Sequence, residues 1–329
     1  MTDLNSKAES AFPNCSFCDQ PIEKIVFKNI VKFGKKYNIF ECLTCQVWIT
    51  RPKPSIKELS KLYSTGNYRA KTGKRFIPIL ENIIRLLTLR KRDRIKKYFI
   101  NRGRILDIGC GRGLFLNLMK EDGWSVTGLE FDDKSASYAI NNYGIDVHTG
   151  DFTDKFENES FDVVNINHVL EHMEKPGETL SECNRILKKG GLLVVAVPNI
   201  DSLQAKFGNK NWFQLDIPLH LHHFSSKGVV GLIESKSFSV DMIRHFKFEY
   251  NPFGWLQTLL NVSKIRENYL YDLLKSSELK SKDNKTATVM DSVKSFLFIP
   301  LYLPLSIIFS IIEAGLRKGG TIEVYSVKK

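Results

Sequence analysis

Residues 104–113 read Arg-Ile-Leu-Asp-Ile-Gly-Cys-Gly-Arg-Gly, an apolar run of strand length that ends in a loop with glycine at 109, 111 and 113. The helical pattern of residues 112–122 follows at once. Glycine lets a backbone approach a ligand closely, and the first turn of a helix carries N–H groups with no partner inside the helix. A small polar ligand is expected at this loop. Its spacing is G-x-G-x-G, with Asp107 two residues before the first glycine. The dinucleotide fingerprint is instead G-x-G-x-x-G, followed by an acid about 20 residues later. A carboxylate beside a helix N-terminus disfavours pyrophosphate and attracts a cation.

Outward from this loop, apolar strand-length runs alternate with helical stretches: RILDIG, 112–122, WSVTGLE, 134–143, DVHTG, FDVVNIN, 177–188 and GLLVVAVPN. Such alternation predicts a Rossmann-like α/β core, a parallel sheet with helices on both faces and strands apolar on both sides. Further strands are expected at 239–249 and at TIEVYSV, 321–327, which makes seven. Ligands of open α/β sheets bind outside the carboxyl ends of the strands. Glu130 ends VTGLE, where its carboxylate suits two ribose hydroxyls. Gly150-Asp151-Phe152 ends the third strand, where Asp151 suits an adenine amino group and Phe152 the ring. S-adenosylmethionine (SAM) has a cationic amino group and no phosphate, so Asp107 fits it.

The segments ILDIGCGRG, VTGLEFD, GDF, FDVVNINHVLEHMEKP and LKKGGLLVVAVPN resemble the successive signatures of class I SAM-dependent methyltransferases, over about residues 104–250 and 321–327. The LEH turn and HLHHFS are similar to methyltransferases of bacterial cell-surface sugar and lipid pathways, and LEH also to quinone O-methyltransferases. The resemblance implies a methyltransferase sheet in which Asp107, Gly109, Gly111, Glu130 and Asp151 bind SAM. Cys110, Gly113, Phe131, Phe152, Asn167 and His168 are expected to line the same cofactor. It also implies transfer to a small-molecule acceptor, foremost O-methylation of a sugar, glycolipid or isoprenoid-linked intermediate. Carbon methylation of a nucleotide sugar is a second expectation, and a SAM-binding sensor or scaffold without catalysis a third.

A hydroxyl acceptor needs a base or a metal. His168-Val169-Leu170-Glu171-His172 formally matches the H-x-x-E-H protease pattern, but falls at a strand-to-helix turn. His168, Glu171 and His172 are expected to line the cofactor or to contact the acceptor or Mg²⁺. His220 and His222, in HLHHF, are candidate bases, and in an extended chain they share one face while His223 points away. Asn167-His168-Val169-Leu170 stands where a nucleobase amino-methyltransferase has an (Asp/Asn)-Pro-Pro-aromatic turn, and no cysteine nucleophile is at hand for a pyrimidine C5 reaction.

Cys15-x-x-Cys18 and Cys42-x-x-Cys45, 23 residues apart, have the spacing of a structural zinc ribbon with a closed thiolate shell. A ribbon ahead of such a core resembles the sugar C-methyltransferases. The expected organisation is a zinc-ribbon-like module (1–55), a basic helical linker (56–102), a SAM-binding core (103–250), a helical and apolar insertion (251–320) and a final core strand (321–329). The net charge of +12 is concentrated between Arg69 and Arg104, which hold thirteen Lys/Arg against two acids. No nucleic-acid partner is expected. Phe296 to Ile312 is uncharged and contains Pro300 and Pro304, which should bend or break a helix. It is expected either as a lid over the acceptor site or, with 69–104, as a peripheral membrane contact. MTDLNSKAES lacks a basic and then apolar opening, so the expected compartment is the cytoplasm, at most peripheral at the inner face of the membrane.

Overall fold

The computed structural model describes residues 14–22, 24–55, 58–59, 78–150, 153–275 and 285–329. The N-terminal part is an antiparallel ribbon of β1 (Lys24–Lys32), β2 (Lys35–Cys42) and β3 (Val47–Arg51). Helix α1 (Pro78–Lys96) leads into the core. There β4 (Arg104–Ile108), α2 (Leu114–Glu121), β5 (Ser125–Glu130), α3 (Asp133–Tyr143), β6 (Asp146–Thr149), β7 (Phe161–Asn167), α4 (Pro176–Ile186) and β8 (Leu187–Pro198) follow one another. Then come α5 (Leu203–Gly208), β9 (His222–Phe224), α6 (Ser226–Glu234), β10 (Phe238–Arg244), α7 (Asn251–Val262), α8 (Tyr269–Lys275), α9 (Lys285–Gly315) and β11 (Thr321–Lys328).

The core sheet runs β10-β11-β8-β7-β4-β5-β6, with β11 antiparallel to both its neighbours and the β4–β8 pairings parallel. From β4 the chain winds outward through β5 and β6, then returns to add β7 on the other side. The crevice between β4 and β7 is the topological switch point where open α/β sheets bind ligands. Successive residues serve opposite faces. Leu106, Ile108, Val164, Ile166, Leu193 and Val195 pack with Leu180 of α4 and Val229 of α6. Ile105, Val163, Leu192 and Val194 pack with Ile95 of α1 and Leu116 of α2. Burial on both sides is why these strands read as unbroken apolar runs.

Several expectations need adjusting. The strand expected at 239–249 ends at Arg244, and the insertion expected at 251–320 begins with two separate helices, α7 and α8. The apolar segment 296–312 lies in one helix that runs through both prolines. Both prolines sit on its exposed side, and packing on α7 holds the rod despite the two missing N–H donors. Its large apolar side chains point mostly outward, which is not the arrangement of a buried lid. The ribbon also extends beyond residue 55. Strand β9, from the HLHHF segment, pairs antiparallel with β3 as its fourth strand, through Val47↔Phe224, Trp48↔His223 and Ile49↔His222. One side of this sheet encloses Cys15, Ile22, Cys42 and Ile49, and Tyr37 and Ile39 pack with Trp212, Leu215 and Ile217 of the core.

Candidate active site

At the end of β4 the chain turns sharply because three glycines adopt positive φ. Gly109, at φ +72°, passes so near Val169 that an added Cβ would lie 2.2 Å from its Cγ2. Gly111, at φ +56°, faces open space. Gly113 caps α2 in the left-handed conformation. Asp107 is buried in the crevice, and its Oδ1 accepts a hydrogen bond from Asn165 Nδ2. Burial pushes its carboxyl up to about 6, against the opposing pull of Asn165 and Lys91. Glu130 Oε2 accepts from the Gly111 N–H at 2.8 Å, and Oε1 accepts from Asp132 N–H at 2.9 Å, so this carboxylate fastens the end of β5 to the glycine loop. The Cys110 thiol turns inward, toward the space left by Gly128, and offers a ligand only its backbone. Phe131 is exposed beside the loop. Asp151 and Phe152 lie outside the described residues.

Beyond β7 the backbone twists at His168, φ +54°, into a short 3₁₀ turn, Leu170–His172. This turn gathers four side chains. His168 Nδ1 is 3.3 Å from Glu171 Oε1, and His220 Nε2 lies 3.9 Å from the same oxygen. The His172 and His220 rings meet edge on, with centroids 4.7 Å apart. His172 Nδ1 bonds to the Leu219 carbonyl at 3.0 Å and His220 Nδ1 to the Gln214 carbonyl at 2.9 Å. A carbonyl only accepts, so each Nδ1 carries a proton, and in the neutral ring each Nε2 offers a lone pair. Glu171 is fully buried, and neither oxygen has a well-directed hydrogen bond among the described residues. Burial pushes its carboxyl up, but His168, His172 and His220 together hold it down to about 2. Burial and the neighbouring His172 lower His220 to about 4. The result is a carboxylate and two imidazole lone pairs, all acceptors. Their ligand atoms lie within 4.8 Å of one another, close enough to share a proton donor or a cation.

His220 and His222 do not share a face, because residue 220 precedes β9 and strand alternation does not reach it. His222 turns toward the ribbon: Nδ1 bonds to the Met173 carbonyl at 3.1 Å and Nε2 to Ser16 Oγ at 3.1 Å. His223 Nε2 meets Thr50 Oγ1 at 2.9 Å, and that hydroxyl donates to the His220 carbonyl at 2.7 Å. Both are buried seams between ribbon and core.

Behind Asp107, Asn167 and His168 meet a group of residues that the sequence did not single out. Asn167 Oδ1 accepts from Lys247 Nζ at 2.9 Å, and its Nδ2 donates to Tyr250 Oη at 3.1 Å. Tyr250 in turn lies against His168, ring centroids 4.1 Å apart and planes inclined by 31°. Lys247 and Lys91 flank Glu323 Oε1 at 3.1 and 3.3 Å. A lysine inside a basic run gives no sign of its burial; only the register of β11 on β8, which sets Glu323 opposite Ala196, brings these groups together.

The four ribbon cysteines place their sulfurs within 4.8 Å of one another, Cys18 and Cys42 at 3.6 Å. Zn–S bonds of about 2.3 Å in a tetrahedron require S···S separations near 3.8 Å. The cluster is compatible with zinc held by Cys15, Cys18, Cys42 and Cys45.

Residues 79–240 match the profile of a family described as a methyltransferase domain. A protein of Mycolicibacterium smegmatis named "Probable S-adenosylmethionine-dependent methyltransferase" is 28% identical over 139 residues, 42% of this chain and 52% of that protein. A protein of Maricaulis maris named ubiquinone biosynthesis O-methyltransferase is 40% identical over 103 residues, 29% of this chain and 41% of that protein. The chain thus spans about half the length of such relatives, or less. A crystal structure of a SAM-dependent methyltransferase from Archaeoglobus fulgidus aligns with TM-score 0.47 at 23% identity, over 74% of this chain and 94% of that one.

Proposed function

We propose that the chain is a SAM-dependent methyltransferase and that it methylates a hydroxyl of a small-molecule acceptor, a sugar, glycolipid or isoprenoid-linked intermediate. SAM supplies an electrophilic methyl group. Asp107 holds its amino group and Glu130 its ribose. The protein's remaining task is to orient the acceptor and take its proton.

The observation that carries the acceptor class is the all-acceptor cluster of Glu171, His172 and His220 beside β7. A hydroxyl placed there donates its hydrogen to an imidazole Nε2, and the Glu171 carboxylate stabilises the imidazolium that forms. The O–CH₃ bond forms as S–CH₃ breaks, and S-adenosylhomocysteine leaves. The relatives named ubiquinone biosynthesis O-methyltransferase favour oxygen over carbon as the methylated atom. The same cluster favours a second reading, a divalent cation on Glu171, His172 and His220 that acidifies the hydroxyl.

The deciding experiment offers labelled SAM with nucleotide sugars, polyprenyl-linked sugars and polyprenylated phenols, before and after exhaustive chelation. A methyl ether product is expected. Activity that chelation leaves intact favours the histidine base, and activity restored only by a divalent ion favours the cation. A C-methyl product, or SAM binding with no turnover on any hydroxyl acceptor, removes the O-methylation reading.

A further inference from the structure

Helix α9 is built inside out. Its buried side carries Asp291, Ser295, Ser306, Ser310 and Glu313, spaced so that they form one stripe. Four of these five polar groups find hydrogen-bond partners inside the fold. Asp291 Oδ1 accepts from the Arg266 N–H at 3.2 Å, Ser310 Oγ donates to the Ser306 carbonyl at 2.6 Å, and Glu313 Oε1 accepts from Gln204 Nε2 at 3.0 Å and Gly320 N–H at 2.9 Å. Phe298, Ile299 and Tyr302 add apolar packing against α7 and α8. The opposite side exposes Phe296 (80%), Leu297 (68%), Leu301 (59%), Ile308 (50%), Ile311 (59%) and Leu316 (60%). A surface helix in water has the reverse pattern, and an apolar band of this continuity marks a partner or a membrane.

Charge selects between these. From Phe296 to Ile312 the helix holds no Asp, Glu, Lys, Arg or His, a length of about 25 Å at 1.5 Å per residue. Its two acids, Asp291 and Glu313, are buried on the inner side. Cations frame the band: Lys294 ahead of it, with Lys264 and Arg266 exposed in the adjoining turn after α7, and Arg317 and Lys318 behind it. A second copy laid along α9 in either direction would set cation against cation. An anionic lipid leaflet meets the apolar band with acyl chains and both basic ends with headgroups. The helix cannot cross the bilayer, because Asp291 and Glu313 tie it to the domain near both ends, and Phe298, Ile299 and Tyr302 pack on α7 and α8 between them.

We infer that α9 is a monotopic membrane element, which lies in the plane of an anionic leaflet with Phe296, Leu301 and Ile308 among the acyl chains. The inference stands apart from the methyl-transfer reading, and it says where a lipid-linked acceptor would meet the enzyme. Asn251 opens α7 and donates to Glu313 of α9, while the preceding residue, Tyr250, lies against His168 of the acceptor cluster.

The test is flotation of the full chain with phosphatidylcholine vesicles, with and without phosphatidylglycerol, alongside light scattering for oligomeric state. The wild type is expected to float with the anionic vesicles and to be released as salt rises. Phe296→Ser, Leu301→Ser and Ile308→Ser together should abolish flotation without altering thermal unfolding, since all three side chains are exposed. Arg317→Ala should weaken binding about fivefold. Leu297→Trp keeps the surface apolar, and its emission should shift to the blue on anionic vesicles. A wild type that stays below the anionic vesicles, a triple variant that floats equally well, or an unshifted Leu297→Trp spectrum would each overturn the inference. A vesicle-indifferent dimer that the triple variant dissociates would hand the surface to a second copy instead.

Discussion

Asp107 is a carboxylate buried beyond what Asn165 and Lys91 compensate, which is why its pKa rises to about 6. A raised acid pKa means that the folded state holds the proton more tightly than the unfolded chain. Its contribution to stability is complete at low pH and is lost as pH rises through about 6. Asp107→Asn is therefore expected to leave the SAM-free protein as stable as the wild type at neutral pH, or more so. It should weaken SAM binding by about 1–3 kcal/mol, the worth of a charge-assisted hydrogen bond. Wild-type SAM affinity should also fall as pH drops through about 6, where the carboxylate gains its proton. Calorimetry on either side of that pH checks both points, and pH-independent affinity would remove Asp107 from the SAM amino group. His220 is proposed for the other half of the reaction. His220→Ala should lower kcat by ~10²–10⁴-fold at unchanged SAM affinity, as expected of a general base; a smaller loss of kcat would return it to a structural role. Asp107, Glu130 and the three glycines were legible because strand ends and G-x-G-x-G fix where they must lie. Lys91, Lys247, Tyr250 and Glu323 were not, since their positions depend on how α1 rotates and how β11 registers on β8.

At the scale of elements, the succession of core strands and helices along the chain could be read from the alternation of apolar runs and helical stretches, but β9 could not. HLHHF is three residues of strand without partners of its own, and only the open edge of β3 makes it a strand. The consequence is mechanical. The cysteine cluster, β3, β9 and the His220 carbonyl are joined through Ser16–His222 and Thr50–His223. Cys42→Ser is expected to lower thermal stability and, if the cluster holds zinc, to release one ion per chain. It should also slow methyl transfer while SAM affinity changes little, because β9 carries the acceptor side and not the glycine loop. Elemental analysis with paired binding and turnover measurements checks this, and an unchanged kcat would show that ribbon and site are independent. His223 links the same seam to pH. Burial and the neighbouring His220 hold its pKa well below the ordinary imidazole value. The unfolded chain then takes up a proton near pH 6.5 that the folded protein refuses. Stability is full above that pH and falls as acid is added, at up to about 1.4 kcal/mol per pH unit for one proton. His223→Gln should flatten the decline of the melting temperature between roughly pH 6.5 and pH 4.5.

The molecule as a whole is tied together by a buried charge group that spans its length. Glu323 stands in the final strand and Arg94 and Lys91 in the helix before the first core strand, while Lys247 lies in the connection from β10 to α7. Tyr325 Oη donates to Glu323 at 2.9 Å. Burial alone would raise the Glu323 carboxyl, but Lys247, Lys91 and Arg94 hold it well below the usual carboxylate range. The two lysines divide the cost unequally. Lys91 is lowered to about 8, mainly by burial, whereas the attraction of Glu323 and Glu249 outweighs burial at Lys247 and raises it. One carboxylate thus answers for three cations, with help from Asn167 and, at longer range, Asp107. Removing it leaves the buried Lys91 ammonium without a close acidic partner and Lys247 with Glu249 alone, at 3.7 Å. Such a loss costs about 3–5 kcal/mol, far more than a surface ion pair is worth. Glu323→Gln, which keeps the shape and loses the charge, is expected to destabilise the protein by that amount in urea unfolding. Lys91→Met in the same background should recover part of the loss, because one stranded cation is then gone. If Glu323→Gln unfolds within about 0.5 kcal/mol of the wild type, the range of an ordinary surface substitution, the core does not depend on this charge balance.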